Sequence, residues 1–208
     1  MKNIFCVSHP LCDHHLTELR ERSTRPSDFR SIASRLTSFL ALESTSILTT
    51  SECPIETPVA GMVGAKVKER IGVFPVLRAG LAMVDPMLDV IPDAQVFHLG
   101  MYRDEETATP VEYYNKLAEF DPVEIGFILD PMLATGGSIE LTISVLKRWG
   151  VTRISVLSLI SSKEGIERLS KLHPEVRFHT CAIDSVLNSK KYIVPGLGDA
   201  GDRLFNTL

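Results

Sequence analysis

No stretch of the 208 residues carries the run of about 18 apolar residues that a membrane-crossing helix needs. The first fifteen residues hold only four apolar residues in a row before Ser8. That is too short for a signal-peptide core, so a cytoplasmic protein with no membrane partner is expected. Cysteine is scarce, and Cys6, Cys12, Cys53 and Cys181 form neither a Cys-x-x-Cys pair nor zinc-finger spacing with histidine. Scattered cysteines of this kind read as reduced thiols rather than a disulfide framework. Positive charge is not in excess: 22 Lys and Arg face 26 Asp and Glu, a formal net charge of -4. A general nucleic-acid binder shows a basic domain, so small molecules are the expected ligands, with no nucleic acid. Internal repeats and low-complexity segments are absent.

What is present fits one domain spanning 1–208, with 44% hydrophobic residues and 23% charged. Residues 1–50 read as helical. Pro26-Ser27-Asp28 marks a helix start with Ser27 as N-cap, followed by a buried stripe of Phe29, Ile32, Ala33, Leu36, Phe39 and Leu40. Residues 51–68, punctuated by Pro54, Pro58, Gly61 and Gly64, predict a protruding β-arm. Short apolar runs then predict strands at 72–77, 94–99, 124–129, 153–160 and 176–183, and helical spacing predicts helices at 138–149 and 164–172. Alternation of this kind indicates an α/β fold with a central, mostly parallel sheet flanked by helices. Such sheets bind ligands at the carboxyl ends of their strands. The loops after Leu77, Leu99, Leu129 and Ile183 are therefore the expected site of chemistry. Residues 101–118 form a polar, aromatic insertion of a length that is either functional or disordered. His98 reads as a core histidine, and His14 and His15 as helix-surface residues. Asp202 and Arg203 read as residues that either pair with each other or anchor the glycine-rich tail.

The segment Asp130-Pro131-Met132-Leu133-Ala134-Thr135-Gly136-Gly137-Ser138 follows an apolar run and opens a helix. Its glycines let the backbone approach an anion, and a helix N-terminus adds a partial positive charge of about half a unit. Thr135 and Ser138 supply hydroxyl donors, and Asp130 suits vicinal sugar hydroxyls. A phosphate with an attached ribose satisfies all of these groups. The plain alternative is a tight strand-to-helix turn capped by Ser138. No Lys follows the glycines, so this is not a Walker loop.

The segment resembles the phosphoribosyltransferase family, and within it the uracil branch. Matching stretches run in order along the chain: His9-Pro10-Leu11, Ile55-Glu56-Thr57-Pro58, Leu77-Arg78-Ala79-Gly80-Leu81, Tyr102-Arg103-Asp104-Glu105, Glu112-Tyr113-Tyr114, the 130–138 segment and the tail 192–203. The resemblance implies N-terminal helices, a phosphoribosyltransferase-type sheet and a C-terminal base-binding segment. It implies that 130–138 holds the donor's 5-phosphate and ribose, that Arg78 and Arg103 contact its diphosphate, and that Ile193, Gly198 and Ala200 read uracil through backbone groups. Asp199 lies between base and ribose, with Asp199 and Arg103 as the catalytic residues. Magnesium enters on the diphosphate and water, with no ligand from the protein. Partners implied are uracil, phosphoribosyl diphosphate, a possible GTP effector and further copies of the chain, as a homodimer or higher assembly. The same fold also carries phosphoribosyltransferases for other bases and pyrimidine-sensing regulators that bind RNA. Ala82, Pro86 and Asn206 depart from glycines usual in the family. Ala134 stands where several relatives carry an acid.

Overall fold

The computed structural model describes residues 2–103, 110–114 and 116–207, the side chains of 101–103 and 110–114 excepted. The chain opens on a short strand, β1 (Ile4–Cys6), where the sequence predicted only helix. Its partner is strand 177–184, far along the chain, so no local pattern announces it. Helix α1 (Pro10–Arg20) follows, with the His9 ring accepting from the Leu11 N–H at 3.1 Å. Helix α2 (Pro26–Thr45) starts at the proline, and Ser27 is not its cap. Proline has no N–H to leave unpaired and its φ is already helical, so it serves at the first position. Phe29, Ile32, Ala33, Leu36 and Leu40 are buried as expected. Phe39 is only half-buried and packs on the His9 ring, centroids 4.9 Å apart.

The arm is an antiparallel hairpin of β2 (Thr50–Glu56) and β3 (Gly61–Val67), in register from Thr50 opposite Val67 to Glu56 opposite Gly61. At its root Glu69 accepts from the Thr49 N–H and hydroxyl and from Arg153 Nη2 at 2.8 Å. Burial alone raises a carboxyl pKa, but these donors outweigh it and hold Glu69 down at about 2. A depressed carboxyl stabilises the fold above its unfolded value and loses that contribution as pH falls through the folded one. Glu69→Gln is therefore expected to lower the melting temperature at pH 7, by an amount that shrinks below about pH 4.5 and vanishes only below about pH 2. Melting curves across that range check it.

Beyond the arm run β4 (Ile71–Pro75), a 3-10 turn (Ala79–Met83), α3 (Val84–Val90), β5 (Gln95–Val96), and a second hairpin of β6 (Gly100–Arg103) and β7 (Pro110–Tyr114). The predicted strand 94–99 shrinks to two residues. Leu99 makes a single parallel bridge to Val76, and His98, expected in the core, is exposed where the chain leaves the sheet. The second half holds β8 (Ile125–Leu129), β9 (Met132–Leu133), α4 (Gly137–Trp149), β10 (Arg153–Ser162), α5 (Lys163–Leu172) and β11 (Arg177–Asp184). It ends in a small hairpin, β12 (Val186–Leu187) with β13 (Ile193–Val194), and helix α6 (Ala200–Phe205). Gly150, at φ 108, closes α4 in the left-handed conformation that glycine takes freely.

The main sheet has the order β1-β11-β10-β8-β4-β5, with β9 extending along β10, and its described pairs are parallel. Helices α1, α2, α3 and α6 bury one face, and α4 and α5 the other. The chain steps outward from β4 to β5 and then returns to β8 on the opposite side of β4. That reversal opens a crevice between the carboxyl ends of β4 and β8, the usual ligand position in such a sheet. The residues that follow the two strands are Arg78 and Asp130.

Candidate active site

After β4 the chain turns sharply, with a cis peptide between Leu77 and Arg78. The Gly80 N–H donates to the Val76 carbonyl at 2.9 Å, which folds the turn back on the strand. A Cβ at Gly80 would sit 2.3 Å from the Leu129 carbonyl oxygen, so only glycine fits between β4 and β8 here. Arg78 itself is exposed, and its Nη2 lies 3.4 Å from Asp202 Oδ1 on α6. The turn after β4 thus reaches the C-terminal helix.

The 130–138 segment runs from β8 to α4, as its pattern predicts. The Asp130 N–H donates to the Leu157 carbonyl, and Asp130 Oδ1 accepts from the Met132 N–H at 3.2 Å. Burial pushes the Asp130 carboxyl up to about 7, against the downward pull of that Met132 bond. Gly136 adopts φ +80, and a Cβ there would meet Leu169 Cδ1 at 2.7 Å. No side chain caps α4, and Gly137 and Ser138 in its first turn are exposed. A helix start of this kind has amide donors to offer an anion. Helix α5 braces the loop from behind. Arg168 donates to the Thr135 carbonyl at 3.0 Å and to Glu140 Oε2 at 2.7 Å. Ser162 Oγ donates to the Ala134 carbonyl at 2.6 Å and accepts from the Gly165 N–H.

The tail runs from the β12–β13 hairpin into α6. Val194–Pro195 is cis, and Gly196 and Gly198 both take positive φ. Asp199 caps α6, its Oδ1 accepting from the Asp202 N–H at 3.0 Å. Of the two roles open to Asp202 and Arg203, anchoring the tail is the one seen, and the two do not pair with each other. Arg203 instead donates to the carbonyls of Leu19, Leu197 and Glu21 and lies 4.4 Å over the Phe29 ring. Asp202 faces Arg78 and the Thr207 hydroxyl. The charges diverge because the carbonyls at the end of α1 need a donor, while Arg78 needs an acceptor.

These three pieces enclose a cleft of about 260 Å³, lined by Ala79, Met132, Ala134, Lys190, Lys191, Tyr192, Gly198, Asp199, Ala200 and Gly201. Five predicted site residues, Met132, Ala134, Gly198, Asp199 and Ala200, therefore line one wall or another. Pro131, Leu133 and Ile193 are buried behind that lining. Arg103 ends β6, but its side chain and the 104–109 stretch lie outside the described residues.

Lys190, Lys191 and Tyr192 were not predicted. They sit on the tip between β12 and β13, where Asn188 Oδ1 accepts from the N–H groups of Lys190 and Tyr192. The apolar pairs flanking Asn188 carried the hairpin signal. Lys191 takes φ 65, a conformation costing a non-glycine residue about 1 kcal/mol. Lys191→Gly is expected to raise stability by about 0.5–1 kcal/mol. Denaturant melts read that gain, and donor KM read beside it reports any substrate contact made by the lysine.

The four cysteines are free thiols, as expected. Among the described residues the one His, Cys or carboxylate group with metal-holding spacing is His14, His15 and Glu18, on α1 and not on the cleft. The departures noted in the sequence are absorbed locally. Pro86 is buried in the first turn of α3, and Asn206 supplies the left-handed residue, φ 56, that ends α6. No helix among the described residues is long and apolar enough to cross a membrane.

The family model described as uracil phosphoribosyltransferase matches residues 6–207. The chain is 53% identical, over 207 residues and the whole of both sequences, to the uracil phosphoribosyltransferase of Roseiflexus castenholzii. The solved AQ2163 protein of Aquifex aeolicus superposes with a TM-score of 0.89 at 34% identity, covering 97% of each chain. An adenine phosphoribosyl transferase of Trypanosoma brucei, solved with AMP, pyrophosphate and ribose-5-phosphate, shares the fold at a TM-score of 0.59 and 12% identity, over 96% of this chain and 89% of its own. With that family model spanning residues 6–207 and a relative 53% identical over the whole of both sequences, the chain belongs to the uracil phosphoribosyltransferase family.

Proposed function

We infer that this chain acts as a single-domain uracil phosphoribosyltransferase, moving the 5-phosphoribosyl group of 5-phospho-α-D-ribose 1-diphosphate to N1 of uracil and releasing diphosphate. The observation that carries the reading is the convergence of Met132, Ala134 and residues 198–201 on one cleft at the switch point of the sheet, within a family-wide match. In this reading residues 130–138 hold the 5-phosphate and ribose, with Asp130 accepting from the ribose hydroxyls. Arg78 and Arg103 take the diphosphate, since a guanidinium fork matches phosphate oxygens. Backbone groups of Ile193, Gly198 and Ala200 match the fixed acceptor–donor–acceptor edge of uracil. Cytosine would place a donor against a donor there and leave a buried group unpaired.

Magnesium fits the donor set in one way only. Among the described residues lining the cleft the one carboxylate is Asp199, too few for an all-protein cage, which suits an ion carried by diphosphate and water. When bound, it neutralises charge on the diphosphate. As the diphosphate leaves C1, positive charge develops on the ribose while the arginines stabilise the departing anion. Uracil N1 attacks from the opposite face, and Asp199 orients the base or takes its proton. Ala134 offers no acid–base group, so proton removal falls to Asp199 or to solvent. Homodimerisation through the arm is part of this proposal: Ile55, Met62 and Val63 are exposed along it and Val59 is 93% exposed at its tip.

Formation of UMP from labelled uracil, with and without GTP, tests the reading, and a rate increase with GTP would establish an activator. Asp199→Asn is expected to cut turnover about a hundredfold. Near-normal turnover in that variant removes Asp199 from the catalytic set.

A further inference from the structure

The base-reading segment is paired only at its start, where the two residues of β13 meet β12, yet its backbone must present donors and acceptors at fixed positions. Beyond the Arg203 bond to the Leu197 carbonyl, two residues outside the cleft support it. Arg20, at the end of α1, donates through Nη1 to Asp184 Oδ2 at 2.7 Å and through Nη2 to Asp184 Oδ1 at 2.8 Å, a two-point fork. The same Nη1 donates to the Gly196 carbonyl at 2.8 Å, and Asp184 Oδ2 accepts from the Gly196 N–H at 2.9 Å. Both polar groups of Gly196 are therefore taken by one ion pair. Gly196 cannot be replaced to relieve that demand: it has φ +63, and a Cβ would fall 2.0 Å from the Ile193 carbonyl oxygen. The pair is shielded, with the Asp184 side chain 8% exposed and that of Arg20 23% exposed. Asp184 is also the last residue of β11, so the clamp ties the segment's register to the central sheet.

We propose that Arg20 and Asp184 are positioning residues for base recognition, fixing where Gly198 and Ala200 present their backbone groups. The proposal rests on the reading of 193–200 as the segment that meets uracil. A surface ion pair would not serve this end, because flexible, hydrated partners tolerate many geometries. A bidentate pair with two further bonds to one peptide unit defines a single geometry. Lysine in place of Arg20 keeps the charge and loses the fork. Asparagine in place of Asp184 keeps the shape and loses the charge.

The test uses full-length Arg20→Lys and Asp184→Asn proteins, each first shown by its melting transition to be folded. Two readouts follow. Amide hydrogen exchange at 193–201 is expected to accelerate at least about tenfold in both variants, with β10 and β11 amides unchanged, because local opening is set by local contacts. The KM for uracil is expected to rise about tenfold, with the KM for phosphoribosyl diphosphate within about twofold of wild type. Unchanged exchange at 193–201 overturns the proposal, and so does a parallel rise of both KM values. If the wild-type protein turns over no uracil, the base-reading assignment fails, and the exchange data alone decide whether the clamp fixes this segment.

Discussion

Asp130→Asn is expected to lower kcat/KM for the phosphoribosyl donor about a hundredfold while making the protein more stable above pH 7. The two effects share one cause. Burial raises the Asp130 carboxyl from its ordinary 3.8 to about 7, so the folded state holds this proton more tightly than the unfolded chain does. Where the folded state binds the extra proton, stability falls as pH rises, here from about pH 4 to about pH 7. Above that window the whole penalty stands, on the order of 2–4 kcal/mol. Asparagine carries no charge to desolvate, so the variant should melt several degrees higher than wild type at pH 8 and nearly level with it at pH 4. The carboxylate is retained, in this account, because hydrogen bonds from ribose hydroxyls to an ionised acceptor are worth about 1.5–3 kcal/mol each. Losing them accounts for the hundredfold. A melting shift of equal size at both pH values, or an unchanged donor KM, would contradict the assignment.

Gly165→Ala should damage the site from outside it. In an exposed helix this change gains about 1 kcal/mol from propensity alone. Here the new Cβ would lie 2.0 Å from the Ala134 carbonyl oxygen, 2.9 Å from Leu133 Cδ2 and 3.0 Å from Ser162 Oγ. The obstruction is backbone, so no rotamer relieves it. The Ala134 carbonyl must swing away, breaking its bond from Ser162 and moving the loop proposed to hold the 5-phosphate. Overpacking of this kind costs about 1–3 kcal/mol. The donor KM should rise at least about tenfold, since small displacements of positioning groups are costly. A variant that melts higher than wild type, with an unchanged donor KM, would show that α5 does not brace the loop.

The parts of this site that could be read in the sequence are those whose chemistry is local. The 130–138 loop combines an apolar strand, paired glycines and a helical stripe within about twenty residues, and it sits where that pattern predicts. Gly150 was legible as the stop of α4 for the same reason. What escaped depends on partners distant in the chain. Ile4, Phe5 and Cys6 form a strand only because Phe178, His179 and Thr180 lie beside them. Arg203 pairs with α1 carbonyls rather than with its neighbour Asp202 because α1 ends against the tail. The Arg20–Asp184 clamp joins positions more than 160 residues apart, and no spacing rule connects them. His98 escaped for another reason: its apolar neighbours Phe97 and Leu99 are buried, but the strand ends at Val96 and the histidine faces outward.

The most direct test is diphosphate release by the purified full chain, with magnesium, phosphoribosyl diphosphate and uracil, cytosine, thymine, adenine or hypoxanthine supplied singly. Release that depends on uracil, far above that with every other base and stoichiometric with UMP, is the predicted result. Equal release with another base, or none with uracil even when GTP is added, would contradict the account.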